Sequence, residues 1–476
     1  VMARGTPADI DRAVASARAC FNSRVLRDMR PHRRGDLMLA VARELAACIE
    51  EIALLECHDN GKTLAAGRAE VALTQRYLTY YAGLADKLEG RQIPLGDGYI
   101  DYTLHEPYGV SAQIVPWNGP LPVGARSIAC AIITGNTVVL KSPEDSPLSL
   151  FVLAEACQRA GLPAGAVNIV CGYGHDAGAA LAAHRDIDQI VFTGSVATGQ
   201  SVLRAAVDRV VPCVMELGGK SGAIVYADAD LDRTAASAVR GIFNHAGQIC
   251  SAGSRLIVHR STHDDLMAKV HKLAAQRSIG PGIDACDLGP LINARQLDRV
   301  EALCRAGVDE GATLLMGGAR VPGMPGHFMA PTIFTNVHPD MRIAQAFANR
   351  AAVAVELSER VARDALRRVG RAGDGPRAFA LFVKGRPELD EEETDGSDGI
   401  DRGYDENRLA ALHRLLEGAG LASQVQCTVA ARANTDPATI TAVGRQACAL
   451  WAGTEQEALR RRARQRPGLR SGMRVV

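Results

Sequence analysis

The sequence predicts an α/β protein built on parallel sheet, and two observations carry that prediction. From residue 110 onward short apolar runs alternate with helical stretches, and from about residue 222 the alternation starts again. Strands separated by helices in this way run parallel, because each crossover carries the chain back to the edge it left. At about 150 residues per domain, 476 residues leave room for two or three domains with cores of their own.

The elements follow in order. Residues 8–56 repeat apolar positions at helical spacing, in ADIDRAVASARACF and then RGDLMLAVARELAACIEEIALLECHDNGK. Asp9 and Asp11 stand early, where a helix dipole favours acids, and DNGK closes the second run on a glycine. A further helix covers about 66–86. EGRQIPLGDGYIDYTLHEP, residues 89–107, alternates, carries a Gly-Asp-Gly turn and ends at proline, the signal of a hairpin. The strands of the first unit are VSAQIVP, NTVVLKS, AVNIVCG, QIVFTG and PCVMELGG. The second unit opens with GAIVYADADLD, continues through a helix to about 246 and the strand SRLIVH, and adds helices at about 261–277 and in ARQLDRVEALCRAGVDEG.

Past Gln345 the texture changes. VARDALRRVGRAGDGPR is rich in arginine, ELDEEETDGSDGIDRGYDE is acidic, and LRRRARQRPGLRSG is basic. Like charges repel and bury nothing, so the acidic run reads as a solvated linker, disordered near 385–407, and the basic end as a loose tail.

Composition narrows the function classes. The chain is 47% hydrophobic and 22% charged, with a net charge of +1, which points to neither nucleic acid nor an anionic membrane as partner. A small neutral ligand is the default. No apolar run reaches the 18 or so residues of a membrane span, and the N-terminal stretch lacks a signal-peptide core, so a cytoplasmic protein is expected. The start at Val1, already close to a helical pattern, gives the expectation of a fragment without its natural start. Twelve scattered cysteines form no C-x-x-C pair and no Cys/His cluster, so no metal site is expected.

Four stretches could carry chemistry. In FTGSVATG, residues 192–199, a strand runs into glycines and then a helix, a junction where backbone N–H groups can approach a phosphate; an ordinary turn explains it as well. In VVLKSPED, Lys141 and Glu144 stand beyond a strand end and could hold ribose hydroxyls, with a solvated loop as the alternative. MELGGKS places Glu216 at the end of an apolar strand, where half-burial would raise its pKa as suits a general base; a salt bridge is the plainer reading. GQICSAGSR carries Cys250, and IVPWNGP carries Asn118, a thiol and an amide that suit a nucleophile and an oxyanion donor. A single cysteine among twelve is more often a small core residue.

Together and in this order, PWN, GNTVVLK, FTGS, ELGGKS, GQICSAGSR and FMAPTIF resemble the aldehyde dehydrogenase superfamily from about residue 6 to Gln345. The resemblance implies a Rossmann-like cofactor domain at 1–217 with a small oligomerisation hairpin at 89–107, an α/β catalytic domain at 218–345, and a divergent or frameshifted tail at 346–476. It implies Cys250 as nucleophile, Glu216 as general base, and Asn118 with the Cys250 backbone N–H as oxyanion hole. Lys141 and Glu144 would bind the adenosine ribose, and Ser195 with Gly194 would face the pyrophosphate. Ile114, Pro116, Trp117, Gly174, Thr193 and Leu217 would shape the cofactor groove. The cofactor would be NAD, or NADP in its place, the substrate a small-molecule aldehyde, and the assembly a homodimer or homotetramer.

The sequence also departs from the family. Gly119 stands where a bulky residue is usual, Arg126-Ser127 replaces a tryptophan-lysine pair, Cys130 replaces a proline, and Lys141 to Glu144 read Lys-Ser-Pro-Glu rather than Lys-Pro-Ser-Glu. The implied substrate tunnel is unusually open. His245 takes a position that is commonly asparagine, with a packing role expected in the helix. After Gln345 the Glu-Glu-Ile-Phe-Gly-Pro-Val stretch is missing, so the glutamate that holds the nicotinamide ribose has no counterpart; neither Glu356 nor Glu359 lies on the motif. Slow turnover follows as an expectation. Two other readings stand beside dehydrogenation: a nucleotide-binding relative without turnover, and a thiol esterase that needs no cofactor.

Overall fold

The computed structural model describes residues 2–95, 97 and 100–345, together with the backbone of 353–357; all lie within one compact unit, Val1–Gln426. Four helices open the chain: α1 (Pro7–Asn22), α2 (Pro31–Ala46), α3 (Ile49–Asn60) and α4 (Leu64–Leu84). Thr6 and Asp9 form a capping box that starts α1. The long apolar run read as one helix breaks between Ala46 and Ile49, and α3 stops at Gly61, whose φ of 77° is the left-handed cap a glycine adopts without strain. The expected hairpin is present as β1 (Gln92–Ile93) and β2 (Asp101–Tyr102), antiparallel, with Gln92 opposite Tyr102.

The first sheet is wholly parallel: β3 (Val110–Ile114), β4 (Thr137–Ser142), β5 (Val167–Cys171), β6 (Gln189–Gly194) and β7 (Cys213–Leu217), in the order β5-β4-β3-β6-β7. The crossovers are α5 (Pro120–Ile133), α6 (Leu148–Arg159), α7 (Ala179–Ala183) and α8 (Val196–Val207). Alternate side chains of each strand serve opposite layers. Val138 and Leu140 pack with Met38, Leu45, Leu78 and Ile128 from α2, α4 and α5, whereas Val139 packs with Ile10, Val14, Leu181 and Phe192 on the other face.

Four residues separate Leu217, the end of the first sheet, from Gly222, the start of the second. The second sheet contains β8 (Gly222–Val225), β9 (Arg255–Val258), β10 (Thr313–Met316), β11 (Thr332–Thr335) and β12 (Val353–Leu357), in the order β10-β11-β12-β9-β8. Only β10 is antiparallel to its neighbour. Its helices are α9 (Leu231–Phe243), α10 (His263–Ala275), α11 (Ala294–Asp309) and the short α12 (Arg342–Gln345). Asp230 caps α9 by accepting from the N–H groups of Asp232 and Arg233 at 3.1 Å. The buried stripe Ala235, Val239, Ile242 and Phe243 then fixes α9 on the sheet. Phe243 is fully buried, so truncation to alanine there costs about 3–5 kcal/mol.

Two expectations change here. Val353–Leu357, from beyond the boundary drawn at Gln345, is a central strand between β11 and β9, with Glu356 in register with Leu256. The helix expected to run to about 246 ends at Phe243, and His245 and Ala246 adopt left-handed φ of 50° and 52°. His245 therefore lies in a turn and not in the helix. The acidic run and basic end, with the segment near 385–407, fall outside the described residues.

Candidate active site

The parallel strands of the first sheet bring their carboxyl ends to one edge, the edge at which open α/β sheets bind ligands. Register places Ile114 beside Lys141 and Phe192, Thr193 beside Glu216, and Gly194 beside Leu217. Pro116 and Trp117 follow β3 directly. Ser195 is the N-cap of α8, its Oγ accepting from the Thr198 N–H at 3.2 Å, so free N–H groups of the first turn face the same edge.

Lys141 is the last but one residue of β4 rather than a loop residue, and it is 4% exposed. Its Nζ donates to Glu144 Oε2 at 2.6 Å. Burial works to raise the Glu144 carboxyl, but the hydrogen bond and charge of Lys141 outweigh it and, with the N–H groups of Glu144 and Gly174, hold the carboxyl below its usual range. Glu144 lines a cleft of about 360 Å³ with Asp59, Asp145, Tyr173 and Arg4. With three carboxylates against one guanidinium, this donor set fits the hydroxyls of a ribose better than a phosphate. A buried cation neutralised by its own glutamate at the end of β4, and a capped helix N-terminus after β6 on the same edge with β3 between them, are consistent with a dinucleotide lying along this edge.

Cys250 lies in the loop between α9 and β9 and is exposed. The loop turns sharply, because His245, Ala246 and Gly247 all have positive φ. Left-handed backbone costs about 1–2 kcal/mol at each non-glycine residue. Asn118, just past β3, donates from Nδ2 to the Gln248 carbonyl at 2.9 Å, two residues before Cys250. The amide and the thiol loop, 130 residues apart in sequence, thus meet.

Glu216 differs from the expectation. It is exposed rather than half-buried, at the end of β7, which among the described residues pairs only with β6 at the edge of the sheet. β8 and β9 pair with Gly222 opposite Arg255, so the segments leading from Glu216 and from Cys250 enter that pair at the same end.

The model of the aldehyde dehydrogenase family matches residues 1–347. The chain belongs to the aldehyde dehydrogenase family. It is 42% identical over 347 residues to the mitochondrial aldehyde dehydrogenase family 2 member B4 of Arabidopsis thaliana, covering 72% of this chain and 64% of the relative. An aldehyde dehydrogenase of Aspergillus niger is 41% identical over 342 residues, covering 71% and 68%. The chain thus spans about two thirds or slightly less of the length of these relatives. Among solved structures, the NAD+ complex of an aldehyde dehydrogenase from Bacillus cereus matches with a TM-score of 0.76 at 37% identity, covering 80% of this chain and 77% of that one. The two alternative readings, a relative without turnover and a thiol esterase, gain no support from these matches.

Sequence reasoning missed the residues that hold this family's loops in place here. Asn60, 1% exposed, donates from Nδ2 to the Trp117 carbonyl, and Ser146 donates to the same oxygen at 2.7 Å. Asn293 caps α11 and donates to Asp145 Oδ2 at 3.0 Å, tying the second sheet's helix to the loop after β4. The signal available for Asn60 was its place directly before the capping glycine of DNGK. No described helix is long and apolar enough to cross a membrane.

Proposed function

We propose that the protein oxidises an aldehyde to a carboxylic acid with NAD, through a thiohemiacetal and then a thioester on Cys250. The observation that carries this reading is the hydrogen bond from Asn118 to the carbonyl two residues before Cys250. It supports a site in which one amide hydrogen of Asn118 is spent on the loop and the other is left for an oxyanion. The Cys250 thiolate adds to the aldehyde carbonyl, and Asn118 Nδ2 with the Cys250 backbone N–H holds the resulting oxyanion. When bound, the cofactor supplies the hydride acceptor for this chemistry. Glu216 takes a proton from water, which attacks the thioester carbonyl and releases the acid and the thiolate.

In this reading Lys141 and Glu144 bind the adenosine ribose, Gly194 and Ser195 face the pyrophosphate, and Ile114, Pro116, Trp117, Gly174, Thr193 and Leu217 shape the groove. The carboxylates beside Glu144 support NAD over NADP. Residues 1–217 act as the cofactor domain, 218–345 with β12 as the catalytic domain, and the hairpin at 89–107 as an assembly element of a homodimer or homotetramer. Nothing after Gln345 matches the family's ribose-holding glutamate, and a misplacement of about 1 Å costs on the order of a hundredfold in rate, so turnover is slow. The test is reduction of NAD+ by the full chain with aliphatic and aromatic aldehydes. Slow, aldehyde-dependent reduction that disappears in Cys250→Ala is expected; reduction that survives in Cys250→Ala overturns the assignment.

A further inference from the structure

We propose that Gln248 is a positioning residue that holds the Asn118 amide and the Cys250 loop in one geometry; the inference rests on the roles proposed above for Asn118 and Cys250. Gln248 is fully buried, and a buried amide must place its donors and its acceptor. Its Oε1 accepts from the Ile292 N–H at 3.0 Å, and its Nε2 donates to the carbonyls of His245 at 3.2 Å and Pro290 at 3.4 Å. Its backbone carbonyl accepts the Asn118 Nδ2–H at 2.9 Å. One residue therefore joins the turn before the nucleophile, the loop that leads into α11, and the loop that follows β3.

The geometry explains why the side chain matters to the amide. The side-chain bonds of Gln248 fix the direction of its own carbonyl. That carbonyl takes one amide hydrogen of Asn118 and so leaves the other a single direction. Were the amide to turn over, its Oδ1, an acceptor, would face the oxyanion and repel it. The turn at His245, Ala246 and Gly247, with φ of 50°, 52° and 74°, is not a conformation that the first two residues keep unaided. The Gln248 backbone N–H closes it on the His245 carbonyl at 3.0 Å, and Gln248 Nε2 adds a second bond to the same oxygen at 3.2 Å, tying the side chain to the turn. On the far side, Asn60 and Ser146 donate to the Trp117 carbonyl, so the peptide that carries Asn118 is held from both ends.

A residue that only stabilised the fold would not discriminate between reactions at the same thiol. The experiment therefore compares two reactions of Cys250 in the full chain, each followed by intact mass. Acylation by p-nitrophenyl acetate forms a C–S bond through a tetrahedral oxyanion and expels p-nitrophenolate. Alkylation by iodoacetamide forms a C–S bond with loss of iodide and involves no oxyanion. Asn118→Ala is expected to lower the acylation-to-alkylation ratio on the order of a hundredfold. Gln248→Met is expected to lower it at least about tenfold, and the double variant to lie within about twofold of Asn118→Ala alone, as coupled residues behave. Gln248→Glu, which keeps an acceptor for Ile292 but has no N–H for His245 or Pro290, is expected to lower the ratio too and serves if Gln248→Met does not fold. Gln248 variants that slow both reactions equally, leave the ratio within about twofold of wild type, or multiply with Asn118→Ala overturn the proposal. A ratio unchanged in Asn118→Ala, or acylation that persists in Cys250→Ala, removes the underlying site assignment and the proposal with it.

Discussion

Replacing Lys62 with methionine should destabilise the protein by an amount that grows with pH. Lys62 is 1% exposed, and its Nζ donates to Glu56 Oε2 at 2.6 Å and to Glu70. Burial works to lower the Lys62 ammonium, but the charges and hydrogen bonds of Glu56 and Glu70 outweigh it and raise it. Glu70 is pushed up to about 7, chiefly by burial, with the Lys62 charge opposing and the Glu56 charge adding. Methionine fills the same space but leaves the buried Glu56 and the partly buried Glu70 carboxylates without their cation, a loss of about 3–5 kcal/mol at pH 8. With roughly 2 cal/mol/K of unfolding entropy per residue over residues 1–347, that lowers the melting midpoint by about 4–7 °C. The sign of the pH dependence follows from linkage. The Glu70 carboxyl, raised in the folded state, holds more protons there than it does unfolded, so stability falls as pH climbs from about 4.5 through the raised value. At pH 5 the Glu70 carboxyl of Lys62→Met takes up a proton and the loss should shrink to about half or less. Thermal melts at pH 5 and pH 8 measure this directly, and Glu70→Gln in the same background should recover part of the loss at pH 8. Equal loss at both pH values, or midpoints within about 1 °C of wild type, would refute the reasoning.

Three further outcomes are expected. Asp59 is pushed up to about 6, mainly by burial, against the Leu148 N–H and with the charges of Glu56 and Asp145 adding. Stability therefore falls between about pH 4 and 6 through this group, and Asp59→Asn, which keeps an acceptor for Leu148, should raise the melting midpoint at pH 8 but little at pH 4; the reverse order counts against the assignment. Glu144→Ala should remove the carboxylate that neutralises Lys141 and shift the ratio of NAD to NADP dissociation constants toward NADP, measured by calorimetry; an unchanged ratio argues against ribose binding there. Glu216→Gln should slow acid release more than first-turnover cofactor reduction, so that a burst persists in stopped-flow absorbance, whereas loss of the burst would place Glu216 in an earlier step.

The strands and most helices were legible because each carries its own periodicity and punctuation. The apolar run of β4, buried at every position, the capping acids of α1 and α9 and the glycine after α3 are local signals. The turn at His245 was not legible, since Ala246 extends the apolar spacing of Ala235, Val239 and Ile242 and only Gly247 marks the break. The exposure of Glu216 was hidden because an apolar run such as CVMEL reads as a buried strand whether one neighbour flanks it or two. β12 escaped notice because the sequence around Val353–Leu357 departs from the family motif. The motif residues Cys250, Asn118 and Glu216 could be chosen from the sequence, but the bonds of Gln248 to Ile292 and of Asn60 to Trp117 span 44 and 57 residues. No local pattern encodes such partners.

The central claim, that Cys250 carries the acyl group during aldehyde oxidation, is tested most directly by trapping the intermediate. The full chain, in excess over aldehyde and with NAD+, is quenched in acid during a single turnover and digested for peptide mass spectrometry. The account predicts an acyl thioester on the peptide that contains Cys250, formed in step with reduced cofactor and more abundant in Glu216→Gln. Reduced cofactor without an acyl group on Cys250, or the acyl group on another cysteine, would contradict it.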